Sequence, residues 1–537
     1  MTTQNEEPAP TLRDQPASWL VARLRAVLLV APIPGTRVLS PLITVALTTL
    51  PLGLLNYFNS EAIADPRPLL EIAAIAGLTA LVLSALLGRV LAPHVAGIFV
   101  GALGYGFFSM SWLQNPSTVS LIIAWVFSSL LGGYVLLWLI GSTRWAVVTA
   151  AVVTTVISAT LFGLSTFGAP EPAELAEREI PESLAFADVP EDRPNIYLFV
   201  LDGFARPDIT AEQFVEHGVD FDLSESISGL EDLGFSQDLE ATANYPQTIL
   251  SVPSTLNAEY HHVPEAPLAG FDIWNQGRAA LSGENVLVNT LRTAGYEYWH
   301  SSSVLWAAGA CDAEVADRCI GDPGTDTETL EALWAETPLR WVQGADLDTV
   351  TDPTTVVADI LASRETQPTN DPYLLFSHII SPHHPYRFNS DCSRRPDGSE
   401  GLSFVEGGEP QFRPLYSGAA TCVASQLESA MTTLIEHDPT AIVFLQADHG
   451  SPFEADLEDN PWDEKMVRER MGIFRMIRMP DHCRSSDPAA QSLVNTVPLI
   501  VGCLNGQEPE LIESRILLSD FVTANVRDAD SPLIEAR

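Results

Sequence analysis

Residues 194 to 204, Pro-Asn-Ile-Tyr-Leu-Phe-Val-Leu-Asp-Gly-Phe, read as one buried strand that ends on an acid, Asp202. A run apolar on both faces, bounded by Pro194 and Gly203, suits the central strand of a parallel sheet with helices covering both sides. Ligands of open α/β sheets gather outside the carboxyl ends of such strands, so a carboxylate placed there is positioned for chemistry. An acid that merely opens an ordinary βα turn has the same local pattern, and one such strand decides little. A second strand changes the weight. Residues 440 to 450, Thr-Ala-Ile-Val-Phe-Leu-Gln-Ala-Asp-His-Gly, pass from buried β pattern to a polar stop at Asp448, His449 and Gly450. Two acids and a histidine at the ends of two parallel strands form a candidate divalent-metal site.

Outward from these two strands, apolar runs alternate with amphipathic stretches. The strand-like runs are 194 to 201, 296 to 300, 372 to 380 and 440 to 446; helical patterns cover 210 to 217, 286 to 294, 328 to 342 and 420 to 436. This alternation predicts a βα-alternating domain with a mostly parallel sheet over 194 to 537. No internal repeat is present.

The chain before it is of another kind. Five long apolar segments, about 38 to 58, 69 to 88, 93 to 113, 118 to 140 and 145 to 167, each approach the ~20 residues that cross a bilayer. The fold class expected is therefore an α-helical membrane bundle of five transmembrane helices followed by an external α/β domain. Residues 1 to 17 read as a polar tail and 18 to 33, charged at Arg23 and Arg25, as an interfacial helix, so 1 to 37 form a cytoplasmic region. Residues 38 to 168 form the bundle, and 169 to 193, rich in Glu, Pro and Ala, a linker. Arg13, Arg23, Arg25, Arg37, Arg89 and Arg144 fall on one side of such a bundle and only Arg67 on the other. That asymmetry places the amino terminus in the cytoplasm and, with an odd number of spans, the catalytic domain outside a multi-pass cell-membrane protein. Glu71 and His94 lie near span ends, which fits an anchor better than a transporter.

Charge divides the same way. Residues 1 to 170 carry 7 basic and 6 acidic residues, whereas the other 367 carry 21 basic and 63 acidic ones. So acidic a domain argues against nucleic acid as a partner, since phosphates would be repelled. An anionic substrate then needs a local positive centre, which a metal ion supplies. All six cysteines, Cys311, Cys319, Cys392, Cys422, Cys483 and Cys503, lie in the acidic part. Irregular spacing without paired CxxC elements fits disulfides in an oxidising compartment, in agreement with the external placement. Six cysteines allow 15 connectivities, and pairing of sequence neighbours (311 with 319, 392 with 422, 483 with 503) is the default.

Two further stretches carry candidate chemistry. In Ala243-Asn244-Tyr245-Pro246-Gln247-Thr248, Pro246 suits the first turn of a helix, which brings Thr248 close to that helix's amino terminus. Unpaired N–H groups and the dipole there favour an alkoxide or a bound phosphate, so a metal-activated hydroxyl at this position is a candidate nucleophile. A threonine near a helix start is also an ordinary cap. The second stretch, His378-Ile379-Ile380-Ser381-Pro382-His383-His384-Pro385-Tyr386, gathers three histidines at another strand end. Histidine there can ligate a metal, hold an anionic oxygen or protonate a leaving group.

Taken in order, VLDG, NYPQT, HxxxPHxPY and ADHG resemble the alkaline phosphatase and sulfatase superfamily over roughly 194 to 510. The layout of five spans and an external domain resembles lipoteichoic acid synthase-type phosphoglycerol transferases and related membrane-bound sulfatase-like proteins. The resemblance implies one divalent ion (Mn, Mg or Zn, with Ca also possible) on Asp202, Thr248, Asp448 and His449, with Thr248 as nucleophile. His383 would contact the substrate's anionic group or leaving oxygen, with His378 and His384 as further substrate-binding candidates. The chain departs from sulfatases proper, because no CxPxR or SxPxR motif stands at the nucleophile position. The additional Asp and two His of the two-zinc phosphatases are not placed as a full set either. The function expected is transfer or hydrolysis of a phospho group, of phosphoglycerol or phosphoethanolamine type, on a lipid head group or envelope glycan. Sulfuric ester hydrolysis and a non-catalytic envelope-binding domain are the alternatives; the sequence leaves oligomeric state open.

Overall fold

A computed structural model describes residues 39–58, 67–108, 125–129, 131–133, 152–153, 156–157, 160, 179–190, 192–268, 270–301, 311–321, 352–384, 386, 388–395, 410–453, 462–485, 487–519 and 525–529. The tail over 1–17, the interfacial helix over 18–33, most of the fourth and fifth expected spans and the helix expected over 328–342 lie outside these residues. The chain divides into two compact units, with a boundary between Pro170 and Glu171.

In the first unit, helices α1 (Leu39–Phe58), α2 (Arg67–Leu87) and α3 (Pro93–Phe108) fall on the first three expected spans. Within α2, Leu70–Leu87 is, among the described residues, the one helix long and apolar enough to cross a membrane; Ser40–Leu52 and Pro93–Phe108 are shorter apolar stretches. Small residues bring α3 against α1. A Cβ on Gly97 would lie 2.6 Å from Ser40 Oγ, and one on Gly101 2.8 Å from Leu47 Cβ, so side chains there would force the backbones apart. Thr44 Oγ1 adds a polar tie, 3.2 Å from the Gly97 carbonyl. On α2, Ile75, Leu78, Val82 and Leu86 are exposed along one face as an apolar stripe.

In the second unit, strands β1 (Ile196–Leu201), β2 (Ser236–Gln237), β3 (Glu297–Ser301), β4 (Arg318–Ile320), β5 (Tyr373–Ile379), β6 (Ile442–Ala447) and β7 (Arg475–Arg478) form one sheet. Its order is β2-β7-β6-β1-β5-β3-β4. The strands from β6 to β4 run parallel, while β7 pairs antiparallel with β6 and β2 antiparallel with β7. Every residue of β1 is buried, as a central strand covered on both faces requires. Tyr197, Phe199 and Leu201 point to one core, where Val356, Ile360, Leu427 and Leu434 meet them. Ile196, Leu198 and Val200 point to the other, with Ile249, Leu256, Leu287 and Ile500. That is the two-residue alternation of a pleated strand.

The helices on these faces are α4 (Pro207–Val215), α5 (Ser224–Asp232), α6 (Thr248–Asn257), α7 (Gly270–Ser282), α8 (Val286–Thr293), α9 (Pro353–Thr366), α10 (Arg413–His437), α11 (Glu464–Met471) and α12 (Thr496–Asn505). The four expected strands are present within two residues of their expected limits. Strands β2, β4 and β7 and several helices were not expected, and two expected features fall differently. Helix α10 begins at Arg413 with Pro414 in its first turn, where proline's missing N–H costs nothing. Pro246 lies outside α6, whose cap is Gln247, so Thr248 is the first helical residue rather than a later one. The cysteines pair as Cys311–Cys319, Cys392–Cys422 and Cys483–Cys503.

Candidate active site

In the β1–β5–β6 register Leu201 stands level with Ile379 and Ala447, so the three strands end together. The next residue on β1 is Asp202 and the next two on β6 are Asp448 and His449; a shared register is what joins positions distant in sequence. Gly203, with φ of +70°, turns the chain sharply after Asp202, a conformation that costs glycine nothing. Its N–H donates to Asp448 Oδ1 at 3.0 Å, and the His449 N–H donates to the same oxygen at 2.9 Å. The turn is held from the other side by Tyr416 of α10, whose hydroxyl donates to the Gly203 carbonyl at 3.0 Å and accepts from the Ala205 N–H at 2.9 Å.

The opposing wall is the start of α6. Asn244, fully buried, fixes the segment leading into it: its amide donates to Ser254 Oγ at 3.0 Å, and its carbonyl oxygen accepts from the Val494 N–H at 3.0 Å. Ser251 Oγ, one turn into the helix, donates to the Asp448 carbonyl at 2.7 Å and binds α6 to the end of β6. Thr248 is thereby brought over the strand ends, its Oγ1 3.2 Å from His449 Nε2.

The tautomer of His449 follows from its surroundings. Nδ1 lies 3.0 Å from the Gly450 carbonyl, which can only accept, so Nδ1 carries the proton and Nε2 the lone pair. That lone pair faces the Thr248 hydroxyl, Asp202 Oδ1 at 3.5 Å and Asp448 Oδ2 at 3.4 Å. Burial, with Arg470 nearby, keeps the imidazole pKa well below its ordinary value and therefore neutral. Burial together with the Asp202 charge pushes Asp448 up to about 6. Burial acts the same way on Asp202, but His383 and the hydrogen bond from His378 hold its carboxyl below the ordinary range.

These residues fit a cation. Asp202 Oδ1 and Asp448 Oδ2 are buried oxygens with no hydrogen-bond partner among the described residues, an expensive condition for a carboxylate unless something positive sits between them. Ligand atoms of Asp202, Asp448 and His449 all lie within 4.8 Å of one another. With Thr248 Oγ1 the set is three oxygens and one nitrogen, suited to a hard or borderline divalent ion.

The three histidines at the end of β5 divide. His378 pairs in register with Val200 and is fully buried; its Nε2 meets Asp202 Oδ2 at 3.4 Å. It is thus a partner of that carboxylate rather than a group offered to substrate, because strand alternation turns it beneath the site. His383 lies beside the site, its ring centroid 6.2 Å from that of His449, and its Nδ1 donates to the His384 carbonyl at 2.6 Å. His384 stacks on His383 at 4.1 Å and is itself mostly buried. Residues that the sequence reading passed over are Ser251, Tyr416 and Arg470. Only spatial register relates them to the motifs, although a serine one turn beyond a nucleophile candidate is a readable signal. A polar cleft of about 490 Å³ opens at the opposite end of β1 and β5; its Arg193 donates to the Ala294 carbonyl and its Arg364 faces Asp438 at 3.7 Å.

A family model described as Sulfatase matches residues 195–506. No curated protein matches the chain. Among solved structures, the C-terminal periplasmic domain of EcEptC from Escherichia coli is 13% identical at a TM-score of 0.39, covering 64% of this chain and 95% of that one. A structure of that domain in complex with Zn gives 13%, 0.39, 63% and 94%. The lipooligosaccharide phosphoethanolamine transferase EptA from Neisseria meningitidis, an integral membrane protein, is 11% identical at a TM-score of 0.39, covering 87% of this chain and 96% of that one.

Proposed function

The chain belongs to the sulfatase family, within the alkaline phosphatase and sulfatase superfamily, and on that premise we propose a membrane-anchored enzyme that moves a phospho group through a threonine nucleophile. The observation that carries this reading is the position of Thr248: first residue of α6, hydroxyl 3.2 Å from His449 Nε2, beside two carboxylate oxygens that lack hydrogen-bond donors among the described residues. Asp202, Thr248, Asp448 and His449 would hold one divalent ion. When bound, that ion supplies the positive charge that acidifies a neighbouring hydroxyl and offsets charge on the phosphoryl oxygens.

The protein's own residues do the rest. Thr248 Oγ, its proton released to solvent, attacks phosphorus as the bond to the donor's alcohol oxygen breaks, and the α6 amino terminus directs its N–H groups toward the incoming oxygens. His383, beside the site, orients the phospho group or protonates the departing oxygen. His378 holds Asp202 in place. A second hydroxyl, from an acceptor or from water, then displaces Thr248 and takes the group. Two displacements allow a lipid head group to be transferred between molecules that are never bound together. The donor class is a phosphoglycerol- or phosphoethanolamine-bearing lipid or an envelope glycan, in keeping with an anchor of five spans, an amino terminus in the cytoplasm and an external catalytic domain over 194 to 537.

The test compares the natural chain with Thr248→Ala on bis(4-nitrophenyl) phosphate and on 4-nitrophenyl sulfate. The diester should be turned over by the natural chain and not by the variant. Preference for the sulfate ester would place the chain with sulfuric ester hydrolases, the chemistry after which its family is named.

A further inference from the structure

The geometry points to Arg470 as a positioning residue that holds the nucleophile's loop and the histidine ligand's loop in one register; this rests on the roles proposed for Thr248 and His449. Arg470 lies in the last turn of α11, one residue before its end at Met471, and is 4% exposed. Its Nε donates to the Pro246 carbonyl at 2.8 Å and its Nη1 to the Gly450 carbonyl at 2.9 Å. Pro246 precedes Thr248 by two residues, and Gly450 directly follows His449. One planar guanidinium therefore spans the two segments whose separation sets the distance from Thr248 Oγ1 to His449 Nε2.

The Gly450 carbonyl is also the acceptor for His449 Nδ1. By donating to that oxygen, Arg470 fixes the group that decides which imidazole nitrogen keeps its lone pair. Its main chain joins in, since the Gly450 N–H donates to the Arg470 carbonyl at 2.7 Å. Outer hydrogen-bond partners of a ligating histidine commonly change metal affinity or activity about 10- to 100-fold when removed. Lysine cannot replace this arrangement, because a single ammonium nitrogen does not reproduce the rigid fork that meets two separate carbonyls.

The experiment uses the full-length protein, stripped of metal and titrated with Zn²⁺ as probe against a competing chelator, as the natural chain, Arg470→Lys and Arg470→Ala. The expected result is Zn²⁺ binding about tenfold weaker in both variants. In both, kcat on bis(4-nitrophenyl) phosphate should fall about tenfold or more with KM nearly unchanged, and methylguanidinium but not methylammonium should restore turnover to Arg470→Ala. Where Arg470→Ala fails to fold, Arg470→Lys, which keeps charge and length, carries the comparison. Arg470→Lys matching the natural chain within about twofold in both Zn²⁺ affinity and kcat overturns the inference. Thr248→Ala run alongside separates the two ideas: if it turns over the diester, the nucleophile reading falls while the Zn²⁺ arm still decides Arg470.

Discussion

At the scale of single residues, Asp448 shows how one carboxylate is divided between structure and chemistry. Oδ1 accepts the Gly203 and His449 N–H groups, which leaves Oδ2 aimed inward with no hydrogen-bond donor among the described residues. Asp448→Asn should keep the first function and lose the second, because the amide presents N–H donors where a cation would sit. Elemental analysis of that variant is expected to find no bound divalent metal, and assays no turnover; full metal occupancy would remove Asp448 from the ligand set. Gly450 makes a different demand. A Cβ there would lie 2.0 Å from the Glu469 carbonyl oxygen, because the segment through Gly472 presses against the end of β6. Backbone cannot retreat as a flexible side chain can, so Gly450→Ala should destabilise the second unit by about 3 kcal/mol. The check is thermal melting; a variant that melts with the natural chain contradicts the close approach. Asp202, Asp448 and His449 could be read from the sequence because each closes an apolar run. Arg470 could not, because it sits among the charges of Glu-Lys-Met-Val-Arg-Glu-Arg-Met, a stretch with the look of a solvated helix.

At the scale of elements, the amino end of α6 is the part on which the chemistry turns, and it is aimed by side chains outside it. Asn244 is tied to Ser254, Ser492 and Val494 while fully buried. Asn244→Ala would leave several buried polar groups without partners, at about 1–3 kcal/mol each. The expected outcome is a clear fall in melting temperature together with a loss of turnover at 25 °C that exceeds the fraction unfolded; normal kcat in a destabilised variant would mean that Asn244 holds the fold but not Thr248. Strands β1, β5 and β6 were readable because both of their faces are buried and their apolar runs are long, whereas the short, half-buried parallel strand β4 was not. Nor was strand β7. Its sequence, Arg-Met-Ile-Arg, begins and ends on arginines that are held by partners remote in sequence: Arg475 by the Ala490 carbonyl and Asp238, Arg478 by the Leu233, Pro439 and Ala441 carbonyls. No local pattern announces a buried arginine that is satisfied by tertiary contacts.

At the scale of the whole molecule, a nearly neutral apolar unit precedes an acidic one stapled by three disulfides. If the arginine asymmetry sets orientation as proposed, a reporter fused at residue 170 should be active only in its extracellular form; cytoplasmic activity would sink both the five-span topology and the account of the disulfides. The anchor then keeps the external site near lipid donors, where a group held on the protein can wait for its acceptor. That waiting state is the central claim, and intact mass spectrometry tests it. The full-length enzyme, quenched in acid during turnover of a phosphoglycerol or phosphoethanolamine lipid, should carry one phospho adduct, located by fragmentation on Thr248 and absent from Thr248→Ala. Active enzyme that never shows the adduct, or shows it on another residue, would contradict the account.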